Sequence, residues 1–233
     1  YNSDMDWNIK DVIETALIKF KEPGKIACQG TGGSYSHIAA AKIFPKAFKI
    51  PALTFEECVE KVKSGECDVA LLPLENTTAG TVNDVYDLIT SNSLYIIKAV
   101  TIPIHHKLII LPGAKLQNIR TVISHPQALA QCSGYIRKMG WNKIPVDNTA
   151  FAAQKMVELG DPTYCAIASG EAGGINNLTV LNDDVCDFKH NQTRFVAVGR
   201  SFSLDKKATR ISIYFRTAHQ SGSLAYVLNV FAE

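Results

Sequence analysis

Asn191-Gln192-Thr193-Arg194-Phe195 opens a last strand, Phe195 to Val198, after a long alternation of strands and helices has ended. A Thr-Arg-Phe triplet taken alone is ordinary strand sequence. Its position decides the fold: a strand with no helix after it is free to return to the first of two α/β series, and so to make a second crossing between two lobes.

The first crossing is read from the apolar stretch 94–111, which is too long for one strand and is broken by Pro103. Upstream lie a strand over 25–28, a helix over 34–44, an extended segment over 48–53 and a helix that runs to about 63 from the capping box Thr54…Glu57. The near-continuous apolar run 68–74 is of the kind buried on both faces of a parallel sheet. A helix over 82–89 follows. Downstream the series repeats: strand 121–124, helix 126–139, strand 144–146, helix 149–159, strand 164–168 and a helical turn from 169. The fold class expected is α/β with two lobes, lobe 1 over about 25–101 and 190–203 and lobe 2 over about 102–189. Residues 4–20 carry apolar side chains at steps of three and four, an amphipathic helix stopped by Pro23-Gly24 that packs on its own domain or a second subunit.

The 233 residues are 46% hydrophobic and 20% charged, with 24 basic against 22 acidic side chains interleaved. No basic stripe points to nucleic acid, and no apolar run reaches the roughly 18 residues of a membrane span. Trp7 to Phe20 is amphipathic and not a signal-peptide core, so a soluble cytoplasmic protein is expected. Six cysteines without Cys-x-x-Cys spacing agree with a reducing compartment. No metal is expected, because His105 and His106 would point to opposite faces of a strand. No cofactor is expected either: Gly30-Thr31-Gly32 lacks the dinucleotide spacing, and no phosphate loop is present.

Four loops share one design. Gly30 to Ser36, with Ser34 and Tyr35, Glu75 to Thr81, with Thr77, Thr78 and Gly80, Ser124-His125-Pro126-Gln127, and Ser169-Gly170-Glu171 each follow a strand and precede a helix. Unpaired N–H groups and the positive end of the helix dipole meet at such places, so a carboxylate is held there without lysine. The same residues also serve as plain helix caps.

Taken jointly, Gln29-Gly30-x-x-Gly33-Ser34-Tyr35-Ser36, Leu72-Pro73-Leu74-Glu75-Asn76-Thr77-Thr78-Ala79-Gly80-Thr81-Val82, Ser124-His125-Pro126-Gln127-Ala128-Leu129-Ala130-Gln131-Cys132, Asn148-Thr149-Ala150, Ala166-Ile167-Ala168-Ser169 and Thr193-Arg194-Phe195 resemble the prephenate dehydratase family, in the family's order, over about 25–199. The resemblance implies a two-lobed domain of the periplasmic-binding-protein type with the active site between the lobes. It implies loss of carbon dioxide and water from prephenate to give phenylpyruvate. Thr193 falls on the family's signature catalytic threonine. The segment 208–233 resembles the start of an α+β ACT regulatory domain and is incomplete as one, with a strand over 209–216, a loop whose Gly222, Ser223 and Leu224 resemble the family's Gly-Ala-Leu effector motif for phenylalanine, and a helix over 225–231; the family's second effector motif, Glu-Ser-Arg-Pro, is absent. A homodimer or homotetramer is implied.

Prephenate carries two carboxylates, which suits the four loops. Its hydroxyl is a poor leaving group and needs a hydrogen bond or proton as it departs. Thr193 is expected to donate that bond. Glu75 is a candidate acid if protonated in a desolvated cleft, and otherwise a paired structural residue. Asn76 and Gln127 are expected to position substrate oxygen without adding charge. Strand alternation puts Thr193 and Phe195 on one face and Arg194 on the other, where it serves a carboxylate or braces the hinge. Ser34, Tyr35, Thr77, Thr78, Gly80, Ser124, His125, Ser169, Arg194 and Phe195 complete the expected binding set, with His125 favoured as a cap. Arogenate dehydratase, a solute-binding module without chemistry and a phenylalanine-binding regulator are the competing readings.

Overall fold

A parallel strand covered on both sides must alternate its apolar side chains between two cores, and β3 (Val69–Asn76) does so. Val69 and Leu71 enter one core while Ala70, Leu72 and Leu74 enter the other. The structure, a computed structural model, describes residues 21–181, 185–205 and 207–230. The helix expected over 4–20 lies outside them.

Around β3 the first sheet runs β2-β1-β3-β11-β5. β1 (Lys25–Gln29) and β2 (Phe48–Ala52) are parallel to β3, whereas β11 (Gln192–Gly199) is antiparallel to both β3 and β5 (Tyr95–Pro103). A two-residue strand, β4 (Gly80–Thr81), folds back on β3 as a hairpin. Helix α1 (Tyr35–Ile43) covers one face through Ala39 and Ala40, and α2 (Phe55–Lys63) and α3 (Asn83–Ser91) cover the other through Val59, Val62, Val85 and Ile89.

The second sheet contains β6 (Lys107–Ile110), β7 (Thr121–Ser124), β8 (Asn142–Pro145), β9 (Tyr164–Ala168) and β10 (Thr179–Leu181), in the order β10-β6-β9-β7-β8. Its helices are α4 (Pro126–Gln131), α5 (Ser133–Met139), α6 (Thr149–Leu159) and α7 (Gly170–Ile175). The two sheets follow one plan. Three parallel strands stand second, first, third, and beside the third lies an antiparallel strand joined to a crossing: β11 in lobe 1, β6 in lobe 2. This is the two-lobed α/β architecture expected, and the crossings touch where Ile104 N–H donates to Asn191 O at 2.8 Å.

Besides the β4 hairpin, two elements differ from the sequence pattern. The helix expected over 126–139 breaks at Cys132, whose φ of −114° leaves the helical region, so α4 and α5 are separate. Residues 209–216 form no ladder among the described residues, because a lone strand without sheet neighbours has no partners for its N–H and C=O groups. Ile211, Ile213 and Tyr214 stand exposed there, and α8 (Ser223–Val230) follows.

One irregularity positions the site. Thr193 pairs with Asn76 and Arg194 with Glu75, but Phe195 pairs with Pro73, so Leu74 is an extra residue on β3. The same stretch of β11 keeps an unbroken register with β5. Pro73, which has no N–H to give to a ladder, sits beside this bulge and beyond the last β1 pairing at Leu71. The bulge reverses the alternation of everything after Leu74.

Candidate active site

Thr193 enters the cleft on the same face of β11 as Phe195 and is 8% exposed. Asn76 Nδ2 donates to its hydroxyl oxygen at 2.8 Å, and also to Asn191 Oδ1 at 2.9 Å. Because that bond fills a lone pair of Thr193 Oγ1, the hydroxyl's own hydrogen is left as a donor. Asn76 Oδ1 accepts from the backbone N–H groups of Thr78 and Ala79, at 3.0 and 2.9 Å, and from the Thr78 hydroxyl at 2.7 Å. Gln127 Nε2 reaches the same oxygen at 3.5 Å across the cleft.

A third amide joins the lobes. Gln131, at the end of α4, accepts on Oε1 from Asn191 Nδ2 at 3.0 Å and donates from Nε2 to Thr78 Oγ1 at 2.5 Å. His106 Nε2 lies 2.9 Å from the same Oε1, and Tyr35 donates its O–H to His105 O at 2.8 Å while packing edge-on against the His106 ring. Asn191, Gln131 and His106 are all buried, and none stood among the expected site residues. Gln131 stands in the Ser124 to Cys132 motif and Asn191 heads the stretch that ends at Phe195, whereas His106 was marked only by its place in the first crossing.

At the opposite rim the Gly30 to Ser34 loop meets lobe 2. Ser169 Oγ donates to Gly33 O at 2.6 Å and Gln154 Nε2 to Thr31 Oγ1 at 3.2 Å. Ser34, Asn148 and Ser169 cap α1, α6 and α7. Three helix N-termini therefore converge on this loop, each with first-turn N–H groups that have no partner within the helix.

Several expected residues are placed elsewhere. Glu75 lies on the far face of β3: its carboxylate, 46% exposed, accepts from Tyr86 O–H at 3.2 Å and pairs with Arg194 at 3.7 Å. The bulge at Leu74 sends it there, so it is neither desolvated nor beside Thr193, and Arg194 braces the sheet instead of facing the cleft. Phe195, 3% exposed, packs in the core under α1 with Ile102 and Ile104. Ser124 is fully buried and gives its hydroxyl to Ile167 O at 2.6 Å, fastening β7 to β9.

The loop 75–81 is a hairpin and not a helix N-terminus. Asn76 Oδ1 takes the N–H groups of Thr78 and Ala79, Gln192 O takes that of Thr77, and Gly80 supplies the φ of +81° that the turn requires, with open space around it. Thr77 donates to His190 O at 3.1 Å and receives Gln192 N–H at 2.9 Å, pinning the second crossing. His125 caps α4 by accepting Gln127 N–H on Nδ1 at 3.2 Å.

Burial lowers the pKa of His106 and of His125, against the pull of the Gln131 contact and of Asp147 respectively, so both rings favour the neutral form. Burial raises the Tyr35 phenol, which stays an O–H donor. The Cys28 thiol is pushed up to about 12 by burial, which fits a core residue and not a nucleophile. Among the described residues no group of His, Cys, Asp and Glu is arranged to hold a metal, and no helix is long and apolar enough to cross a membrane.

Two α/β lobes bridged by neutral hydrogen-bonding side chains, with helix N-termini at one rim and a buried threonine at the hinge, define a two-lobed α/β protein. The prephenate dehydratase family model matches residues 26–203, and the chain belongs to that family. It is 35% identical over 218 residues to the bifunctional chorismate mutase/prephenate dehydratase of Buchnera aphidicola, which covers 91% of this chain and 57% of that protein. It is 38% identical over 214 residues to arogenate dehydratase 3 of Arabidopsis thaliana, with 89% and 50% covered. The prephenate dehydratase of Arthrobacter aurescens, solved in complex with L-Phe, is similar with a TM-score of 0.74 at 26% identity, covering 89% of this chain and 72% of that one. The chain thus spans about half the length of the curated relatives it matches.

Proposed function

We propose that the protein is a prephenate dehydratase, with residues 25–203 as the catalytic domain. Prephenate and one proton go to phenylpyruvate, carbon dioxide and water: the ring carboxylate leaves with its bonding electrons passing into the ring, and the hydroxyl across the ring departs as water. The observation that carries this reading is the bond from Asn76 Nδ2 to Thr193 Oγ1, which leaves the Thr193 hydrogen to meet the departing oxygen. With Glu75 on the far face, the chemistry rests on hydrogen bonding in a neutral site, where a fixed donor gains strength from the low local dielectric. The helix N-termini around Gly33 suit a substrate carboxylate. Ser34, Tyr35, Thr78, Gln127 and Ser169 belong to this substrate cleft.

Arogenate differs from prephenate by an amino group in place of the keto oxygen, and the 38% identity to an arogenate dehydratase favours it as a second substrate. The segment 208–230 is the start of an ACT-like unit for phenylalanine, a reading supported by the L-Phe complex of the Arthrobacter relative and by a cavity lined by Arg216, Ser221, Gly222, Ser223 and Tyr226. Leu224 and Tyr226 stand exposed beside it and suit a homodimer or homotetramer contact. A reducing cytoplasm suits the thiols that fill the core.

The test is turnover: phenylpyruvate from prephenate and phenylalanine from arogenate, followed in parallel. Thr193→Ala is expected to fold and to lose about 100-fold to 1,000-fold in kcat, with Thr193→Ser keeping more of it. Near-normal turnover in the alanine variant would remove Thr193 from the mechanism.

A further inference from the structure

Asn76, Asn191, Gln131 and Thr78 form a closed ring of hydrogen bonds in which every donor points the same way round. Asn76 Nδ2 donates to Asn191 Oδ1, Asn191 Nδ2 to Gln131 Oε1, Gln131 Nε2 to Thr78 Oγ1, and Thr78 O–H to Asn76 Oδ1. Two backbone N–H groups, those of Thr78 and Ala79, fix the sense of circulation, because they cannot be reversed and they hold Asn76 Oδ1 as an acceptor. Two further residues hang from the ring. Thr193 receives its bond from Asn76, and His106 Nε2 faces Gln131 Oε1.

We infer that His106 is a positioning residue for Thr193, acting across the hinge through Gln131, Asn191 and Asn76. The inference rests on the reading of Thr193 as the donor to the leaving oxygen. Since Gln131 Oε1 is an acceptor in this ring, His106 must carry its hydrogen on Nε2. Its Nδ1 is then an acceptor 3.3 Å from the Tyr35 oxygen, whose O–H donates to His105 O at 2.8 Å and lies within reach of Nδ1 as well. A ring circulating the other way would turn the Gln131 N–H toward His106 and draw the Thr193 hydrogen inward onto Asn76. The His106 N–H adds to the sense that keeps the Thr193 hydrogen available. Because Asn76 and Thr78 belong to lobe 1 and Gln131 to lobe 2, the ring spans the two lobes.

The test has two arms. Long-range imidazole 15N spectra of the protein, with the His106 signals assigned by comparison with His106→Gln, should show the neutral Nε2–H tautomer from pH 6 to 8; an Nδ1–H tautomer overturns the inference whatever the substrate is. In kinetics on prephenate, His106→Gln, which keeps an N–H near the Nε2 position, should hold kcat within about threefold, while His106→Met should lower kcat about tenfold with KM little changed. Equal losses in the two variants reduce His106 to packing and overturn its positioning role. Should wild-type protein turn over neither prephenate nor arogenate, the function reading fails while the tautomer still decides the ring. If His106→Met does not fold, the tautomer in wild-type protein decides alone.

Discussion

Neighbours at 75 and 76, a carboxylate and an amide, leave β3 on opposite faces, and the character of the cleft follows from which one faces inward. Strict alternation from Val69 would give Glu75 the face of Leu71, and a negative charge would then stand beside Thr193. The extra residue Leu74 exchanges the two, so an amide faces Thr193 and the carboxylate meets Arg194. Sequence alternation along β11 places Thr193 correctly, because β11 is regular there; it is blind to the bulge on the partner strand, which depends on pairing. Glu75→Gln should therefore change stability by less than about 1 kcal/mol, as for other exposed pairs, and kcat by no more than a few-fold. Urea titration and steady-state rates check both. Asn76→Asp should be far worse for rate: the oxygen facing Thr78 and Ala79 survives, but with no N–H for Thr193 its hydroxyl hydrogen turns inward. A loss of about 100-fold in kcat with a native circular dichroism spectrum is expected.

The elements around the cleft were legible wherever a polar cap and a stopping residue bracket a periodic run. Asn148 and Gly160 bound α6 at the residues expected, and the strands Thr121–Ser124 and Tyr164–Ala168 fall on their apolar runs. The hairpin at Gly80–Thr81 was hidden because two residues carry no period, and the loop before α3 therefore read as a helix N-terminus. The break at Cys132 was hidden because Ala128, Leu129 and Ile136 share one core on either side of it. The rim shows an element-scale constraint of another kind. Gly33 has a φ of +84°, and a Cβ there would lie 2.5 Å from Ala172 Cα in α7. Gly33→Ala should cost about 1–2 kcal/mol through the backbone alone and also hold the lobes apart. A KM raised at least tenfold with a smaller fall in kcat, and a larger radius of gyration by X-ray scattering, would be the signature; an unchanged KM would show that the contact is not needed for binding.

The whole molecule carries a built-in acid sensitivity. His37, His106 and His125 all have folded pKa values lowered from the ordinary 6.5, each chiefly by burial. The unfolded chain thus binds protons more readily near pH 6, so stability should be level above about pH 7.5 and fall as the pH drops through 6.5. Urea midpoints from pH 5 to 8 test this, and a midpoint that rises on acidification would contradict it. The strand order has a consequence in time. β11 is the inner strand between β3 and β5, yet it is synthesised after the whole of lobe 2. Lobe 2 is continuous in the chain and can close as soon as it emerges, while the edges of β3 and β5 stay open from Pro103 until Gln192 leaves the ribosome. At about 5–20 residues per second that interval lasts on the order of ten seconds. A nascent chain stalled with the residues up to 191, and none beyond, outside the ribosome should therefore show a protease-resistant second lobe and a digestible first one, which would make the speed of translation a determinant of how much of this protein survives to fold.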